Sequence, residues 1–505
     1  CHERPRFPVG NGTGAIRCAS SVADLVFLSA TELAQRIAAR EVSSEEVLKA
    51  YLERVDQHND ALNAIVVDVR EAALERAREA DQATARGESW GPLHGVPMTI
   101  KESYNLTGTP TTWGNPDWRD NVAAEDAVPV KKLKQAGAIV FGKTNVPLAL
   151  ADFQSYNDVY GTTNNPYDHA RTPGGSSGGS AAALAAGLTG LETGSDIGGS
   201  IRNPAHFCGV FGHKPTWSLR WRRGHSGPGD IRAMPDISVI GPLARSAQDL
   251  ETAVRTMAGP DDIMARGYRL ELPELAGRGL DGLRVAVWGD DELCPVSAEV
   301  RGRIDMVAGM FADAGATVDR EARPAFASTH SHETYQTLLQ ATMASRMPQA
   351  DYDSLLSRVA ELDPNDDSNA ARVLRAQVAR FRDWAGANEA RHKLRWQWHE
   401  FFQGFDVMLA PIMPTSAFPH DHRPFGERTI DIDGQSRPYF DQVFWAGLTG
   451  VAYLPSTVIP TGLTDDGLPI GLQIVGPEYS DLITIGVARM LEAAGCQFVP
   501  PERYL

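Results

Sequence analysis

Two serines in this chain stand in glycine-rich settings that suit a nucleophile. Ser176 lies in Gly174-Gly175-Ser176-Ser177-Gly178-Gly179, and Ser200 in Asp196-Ile197-Gly198-Gly199-Ser200-Ile201-Arg202. Glycine, lacking Cβ, lets the backbone take angles closed to other residues and lets a substrate carbonyl come close. Successive N–H groups turned toward one point, as the run 196–200 permits, form an oxyanion hole for a tetrahedral intermediate. One such donor contributes about 3 to 4 kcal/mol of transition-state stabilisation. Glycine and serine also make turns and linkers, and composition alone favours neither reading. The apolar, alanine-rich run at 181–186 between the two loops argues that both are tied to a core.

A serine hydroxyl is a poor nucleophile and needs a base within hydrogen-bond reach. None of the 13 histidines stands in a Gly-x-Ser-x-Gly elbow or another recognisable triad setting. Lysine serves instead where burial disfavours its charged form. Lys101 closes the apolar run Val96-Pro97-Met98-Thr99-Ile100, which reads as a buried strand. Taken by itself, a lysine just past a strand is more often a surface residue.

The elements around these residues follow α/β grammar. Ser29-x-x-Glu32 and Ser43-x-x-Glu46 are capping boxes ahead of amphipathic runs, and a third helix near 71–86 ends at Gly87. A helix at 128–135 gives way at Gly137 to the apolar strand 138–141. The same step recurs with a strand at 283–288, a helix opened by Ser297 and closed at Gly315, and a strand from Ala316. Residues 330–402 carry apolar side chains at helical spacing with no strand signal, an expected all-helical insertion with a turn at Pro364-Asn365-Asp366-Asp367. Strands at 454–461 and 468–475 flank the hairpin signal Asp465-Asp466-Gly467. The expected fold is α/β: a mixed, mostly parallel central sheet covered by helices on both faces. One large domain is expected over residues 28–505, preceded by a leader or flexible segment at 1–27.

Composition narrows the function classes. With 42% hydrophobic and 22% charged residues among 505, the chain can bury a large core. A net charge of −16 repels a phosphate backbone, so no nucleic-acid partner is expected. No run of 18 apolar residues offers a spanning helix, so no membrane role is expected either. Five scattered cysteines lack zinc spacing and suit a reducing, cytoplasmic compartment.

Three further patterns are weighed and set aside. Gly137 to Thr144 fits GxxxxGK[ST], yet Ala138-Ile139-Val140-Phe141 is itself a buried strand, not a loop exposing N–H groups to phosphate. His399-Glu400-Phe401-Phe402-Gln403 starts like a zinc helix but ends in glutamine, and the pairs His330/His332 and His420/His422 read as surface features, so no metal and no cofactor is expected. Trp396, Trp398, Phe401 and Phe402 read as core or pocket wall, as do Phe153, Tyr156, Trp217, Phe444 and Trp445.

Several segments together resemble the amidase signature family. They are Gly95 to Glu102, Gly142-Lys143-Thr144-Asn145, Gly161 to Pro166, Gly174 to Pro204, Gly209 to Thr216, and Gly467 to Gln473, in family order over residues 28–491. The resemblance implies a Ser-cis-Ser-Lys triad: Ser200 as nucleophile, Ser176 as the serine with a cis peptide bond and Lys101 as base. It also implies an oxyanion hole from the N–H groups of Ile197, Gly198, Gly199 and Ser200, with Ser177, Asp196 and Arg202 as supports. Glu102-Ser103 departs from the family's frequent Asp-Asn, keeping the carboxylate on a side chain one methylene longer. The implied activity is hydrolysis of a neutral, partly apolar aryl or alkyl amide, or of a carbamate or ester, as an aryl acylamidase or urethanase would perform it, by a monomer or homodimer. The alternative is a glutaminase-type subunit of an amidotransferase complex.

Overall fold

A computed structural model describes residues 25–219, 222–229 and 231–505. The expected leader thus falls, up to residue 24, outside the described residues. Both capping boxes form: Ser29 caps α1 (Ala30–Ala38) and Ser43 caps α2 (Ser44–Leu62), with Glu32 and Glu46 reaching back to the cap backbone. Each such cap stabilises its helix by about 1 kcal/mol. Helix α3 (Arg70–Ala85) stops just before Gly87, whose φ is +78°.

A small sheet presents the lysine. Strand β3 (Ile139–Thr144) lies between β1 (Ile65–Asp68), to which it is antiparallel, and β2 (Pro97–Lys101), to which it is parallel. Helix α4 (Val128–Gln135) supplies the crossover that a parallel pair requires. Every residue of β2 and β3 is buried, so Gly142, Lys143 and Thr144 are interior strand positions and cradle no phosphate. A short hairpin, β4 (Tyr156–Asn157) with β5 (Gly161–Thr162), follows. Helix α5 (Gly178–Ala185) is buried along its whole length. It packs on β2 and β3 and also on two strands of the large sheet, β6 (Glu192–Asp196) and β8 (Val239–Ala244).

The large sheet has the order β10-β9-β11-β15-β14-β7-β8-β6 and is flanked by helices. Its other strands are β7 (Phe211–Lys214), β9 (Arg284–Val287), β10 (Thr317–Asp319), β11 (Val407–Ala410), β14 (Ser456–Leu463) and β15 (Pro469–Val475). The sheet is mixed, but the expectation of mostly parallel pairing is corrected: five of its seven neighbouring pairs are antiparallel. Parallel pairs occur where helices intervene, as α8 (Ala298–Asp313) does between β9 and β10. Strands β14 and β15 are joined by a short turn at Gly467, and no helix separates β7 from β8 among the described residues, so these pairs run antiparallel.

Helix α6 (Arg202–Phe207) follows β6 and packs against β7, β14 and β15, while α7 (Ala247–Met257) packs on β8. Between β10 and β11 lie α9 (Ser328–Ala344), α10 (Gln349–Ala360), α11 (Asn369–Gln377) and α12 (Phe381–Phe401), with no strand among them. Trp398 and Phe402 are buried as expected, whereas Trp396 is 66% exposed and belongs to neither core nor pocket. Two residues along a helix are about 200° apart, so Trp396 and Trp398 face opposite ways. After β11 comes the hairpin of β12 (Thr429–Ile432) and β13 (Gln435–Pro438), then the buried helix α13 (Val443–Gly450). The Tyr335 ring of α9 lies so close to Gly447 of α13 that a Cβ there would sit 2.4 Å from it. Helix α14 (Asp481–Ala493) packs on α7 and β14.

Candidate active site

Lys101, the last residue of β2, is fully buried, and its Nζ lies 2.7 Å from Ser176 Oγ, 2.9 Å from Ser177 Oγ and 3.0 Å from Ser195 Oγ. It forms no ion pair among the described residues. Burial pushes its ammonium well below the ordinary lysine range; the Asp196 carboxylate opposes that shift and the buried Arg222 adds to it. A lysine so surrounded is held toward its neutral form, which can accept a proton.

The two serine loops are joined through their backbones. The Gly175–Ser176 peptide is cis. Ser177 N–H donates to the Ser200 carbonyl at 3.1 Å, and Gly175 N–H donates to Asn203 Oδ1 at 2.8 Å. The loop carrying Ser176 is thereby fixed to the turn carrying Ser200. Ser200, 8% exposed, opens onto a cavity of about 530 Å3 whose walls include Ile197, Gly198, Phe153, Leu339 and Met343.

Asp196 and Arg202 brace the turn between β6 and α6. Arg202 Nε and Nη2 donate to Asp196 at 3.0 and 2.9 Å, both side chains being buried. The remaining guanidinium donors reach Thr449 Oγ1 at 2.8 Å, Gln473 Oε1 at 3.1 Å and the Ala446 carbonyl at 3.1 Å. Burial pushes the Asp196 carboxyl up, but Arg202 outweighs it and holds the group at about 2. Asp196 also accepts from the N–H groups of Gly199 at 2.9 Å and Ile201 at 3.1 Å. Gly199, with φ +109°, turns its N–H onto Asp196. Of the four N–H groups expected around an oxyanion, this one braces the loop.

A model of the amidase family matches residues 46–484. The chain belongs to the amidase family. It is a hydrolase of carbon–nitrogen bonds in amides. This amidase is 31% identical to a glutamyl-tRNA(Gln) amidotransferase subunit of Carboxydothermus hydrogenoformans, over 93% of this chain and 97% of the relative. It is 33% identical to an acylamidase of Rhodococcus erythropolis, over 93% and 96% of the two chains. Among solved structures it is similar to a chain of an inhibitor-bound vestigial protein complex that bears on the evolutionary origins of an s-triazine catabolic enzyme, with a TM-score of 0.78, 28% identity, and 93% and 99% of the chains covered.

In this amidase Glu102 stands where the chain departs from the family pattern. Its carboxylate accepts from the N–H groups of Thr112 at 2.5 Å and Trp113 at 2.9 Å, so the longer side chain ties the loop after β2. Of the five apolar pocket candidates, Phe153 lines the cavity beside Ser200. Tyr156 stacks on His422, Trp217 stacks on Tyr453, and Trp445 is buried with its indole N–H on the Cys294 carbonyl. Phe444 faces a separate, larger cavity. Sequence reasoning missed Ser195 and Tyr335. The Ser195 hydroxyl faces Lys101 from within β6, and the Tyr335 hydroxyl donates to the Ile197 carbonyl at 2.8 Å. A strand serine beside Asp196 was the signal for the first; nothing local marked the second.

Proposed function

We propose that this amidase is a freestanding monomer or homodimer that cleaves the C–N bond of neutral, partly apolar aryl or alkyl amides through an acyl-enzyme on Ser200, with carbamates and esters as related substrates. The observation that carries the reading is Lys101 Nζ held 2.7 Å from Ser176 Oγ without a charged partner at hydrogen-bond distance, on a loop bonded to the Ser200 turn. Neutral Lys101 accepts the Ser176 proton while Ser176 accepts that of Ser200, and Ser200 Oγ bonds to the substrate carbonyl carbon. The carbonyl electrons move onto oxygen, where the N–H groups of Ile197, Gly198 and Ser200 receive them. The relay then returns the proton to the departing amine as the C–N bond breaks, and water hydrolyses the acyl ester. These steps call for no metal or cofactor.

The cavity favours an uncharged substrate. Among the described residues Asp152 is the one acid on its wall, and its carboxylate already accepts from Arg428 Nη1 at 2.6 Å and Tyr439 Oη at 2.8 Å. The relatives among amidotransferase subunits favour a second reading, release of ammonia from glutamine for a partner protein. Glutamine carries an ammonium and a carboxylate, and the walls around Phe153, Leu339 and Met343 offer neither an unpaired counter-charge. The deciding experiment assays chromogenic anilides, esters, primary amides, carbamates and glutamine with wild type and Ser200→Ala, with gel filtration of the wild type. Anilide turnover lost in Ser200→Ala is expected; ammonia from glutamine as the sole product would overturn the first reading.

A further inference from the structure

Three of the residues that line the cavity beside Ser200 are phenylalanines, and they come from three places in the chain. Phe153 precedes β4, Phe425 lies just before β12, and Phe440 follows β13. Their rings form one cluster. The centre of the Phe440 ring lies 5.7 Å from that of Phe425 and 6.2 Å from that of Phe153, and Tyr439 lies 5.2 and 5.7 Å from the same two. Phe153 is buried, whereas Phe440 is half-buried and Phe425 is 37% exposed. Apolar surface left open on the wall of a cavity that holds a nucleophile is surface that a bound group can cover.

The open ring is held in register with the catalytic loop. Phe425 begins a short turn that ends beside Arg428, whose guanidinium lies 5.5 Å from the centre of the Phe425 ring. Arg428 donates from Nη1 to Asp152 and from Nη2 to the Tyr156 hydroxyl, each at 2.6 Å. Gln154, between those two, donates to the Asp421 carbonyl at 2.7 Å and accepts from the Asp421 N–H at 2.9 Å. The same segment lies against the glycines around Ser176. A Cβ on Gly175 would sit 2.4 Å from the Asp152 carbonyl oxygen, and the Ser155 hydroxyl donates to the Gly174 carbonyl at 2.9 Å and accepts from the Gly178 N–H at 3.1 Å. The position of Phe425 is thereby tied to that of the Ser176 loop.

The chemistry of such a wall is selective. Aliphatic residues such as Leu339, Met343 and Val373, which also line the cavity, take an apolar group according to its area. Phenylalanine rings add an electrostatic preference for a further ring, through the negative face and positive edge that each carries. We propose that Phe425 and Phe440 are specificity-determining residues of this amidase, and that they hold an aromatic ring of the substrate next to the scissile amide. The proposal names the substrate class within the catalytic reading given above and rests on that reading.

The test compares substrates in pairs that differ only in whether a ring is aromatic or saturated. On the acyl side the pair is the 4-nitroanilides of phenylacetic and cyclohexylacetic acid; on the amine side it is the butyramides of 2-phenylethylamine and 2-cyclohexylethylamine. The readout is the ratio of kcat/KM within a pair, or of Ki against a 4-nitroanilide where a pair is not turned over. It is measured in wild type, Phe425→Leu, Phe425→Tyr and Phe440→Leu, with circular dichroism to confirm folding. We expect the aromatic-to-saturated ratio to fall at least two-fold and up to about ten-fold in Phe425→Leu for one set or both, the contribution of one aromatic pair beyond its buried area. Phe425→Tyr keeps the ring and should keep the ratio within two-fold of wild type. Phe440→Leu should lower the ratio as Phe425→Leu does, and decides in its place if that variant does not fold. A change of less than two-fold in both sets, or an equal fall in Phe425→Tyr, overturns the aromatic wall while loss of turnover in Ser200→Ala leaves the catalytic reading standing. Turnover that survives Ser200→Ala at the wild-type rate, or a wild type that cleaves no 4-nitroanilide, overturns the catalytic reading and the wall with it.

Discussion

The phenol of Tyr335 donates a 2.8 Å hydrogen bond to the backbone carbonyl of Ile197, so a helix from the segment between β10 and β11 holds the peptide three residues before Ser200. Tyr335→Phe removes that one bond and keeps the ring against Gly447. A typical net value of about 1 kcal/mol corresponds to a loss of roughly five-fold. We expect kcat on an anilide to fall by about that factor while the urea midpoint shifts little. A midpoint shift with unchanged kcat would show that the bond serves stability alone.

The pH–rate profile reports on Lys101. In the proposed mechanism the active form is the neutral amine, and burial lowers the pKa of the ammonium, so that form is expected at pH values below the ordinary lysine range. We expect kcat/KM to rise with pH along a limb set by Lys101 and to level off above it. Lys101→Met should abolish both the limb and, on the order of 10⁴-fold or more, the activity. A profile flat from neutral to alkaline pH would remove Lys101 as base.

Arg202 and Asp196 form a buried pair whose members are worth more together than apart. Arg202→Met leaves the Asp196 carboxylate buried without its counter-ion and is expected to destabilise the fold by about 3 to 5 kcal/mol. The double variant Asp196→Asn with Arg202→Met should recover part of that loss in urea unfolding, since no uncompensated charge remains. Additive losses would mean that the two side chains act independently.

Glu192 opens β6 fully buried, and burial raises its carboxyl to about 7 despite bonds from Thr99 Oγ1 at 2.5 Å and Thr193 N–H at 2.8 Å. Its folded pKa lies above the unfolded one, so the folded state binds more protons between them and stability falls as pH rises from about 4 to about 7. The change attributable to this group is roughly 3 kcal/mol. Glu192→Gln should flatten that slope, which thermal unfolding at pH 5 and pH 8 measures. An unaltered slope would assign it to other groups.

What the sequence made legible was local. Capping boxes, the strand ending at Lys101 and the hairpin at Gly467 each depend on a few neighbouring residues, and each formed. Strand direction was not legible where strands distant in sequence meet, because β7 and β14 pair across more than two hundred residues and periodicity is the same in either sense. The site divides in the same way. Ser176, Ser200 and Lys101 stood out by their glycines and their apolar run, whereas Ser195, Tyr335, Thr449 and Gln473 declare themselves only once folding brings them near. Gly199 was recognisable as a special position, but the direction of its N–H depends on Asp196 accepting it.

The bond from Arg202 to Gln473 spans 271 residues. Gln473 sits on β15, an interior strand of the large sheet, and the turn bearing Ser200 has Arg202 as its neighbour. The turn bearing Ser200 therefore gains this brace only after translation has passed Gln473. Nascent chains halted short of β15 lack an interior strand of the large sheet, and are expected to be open to proteolysis.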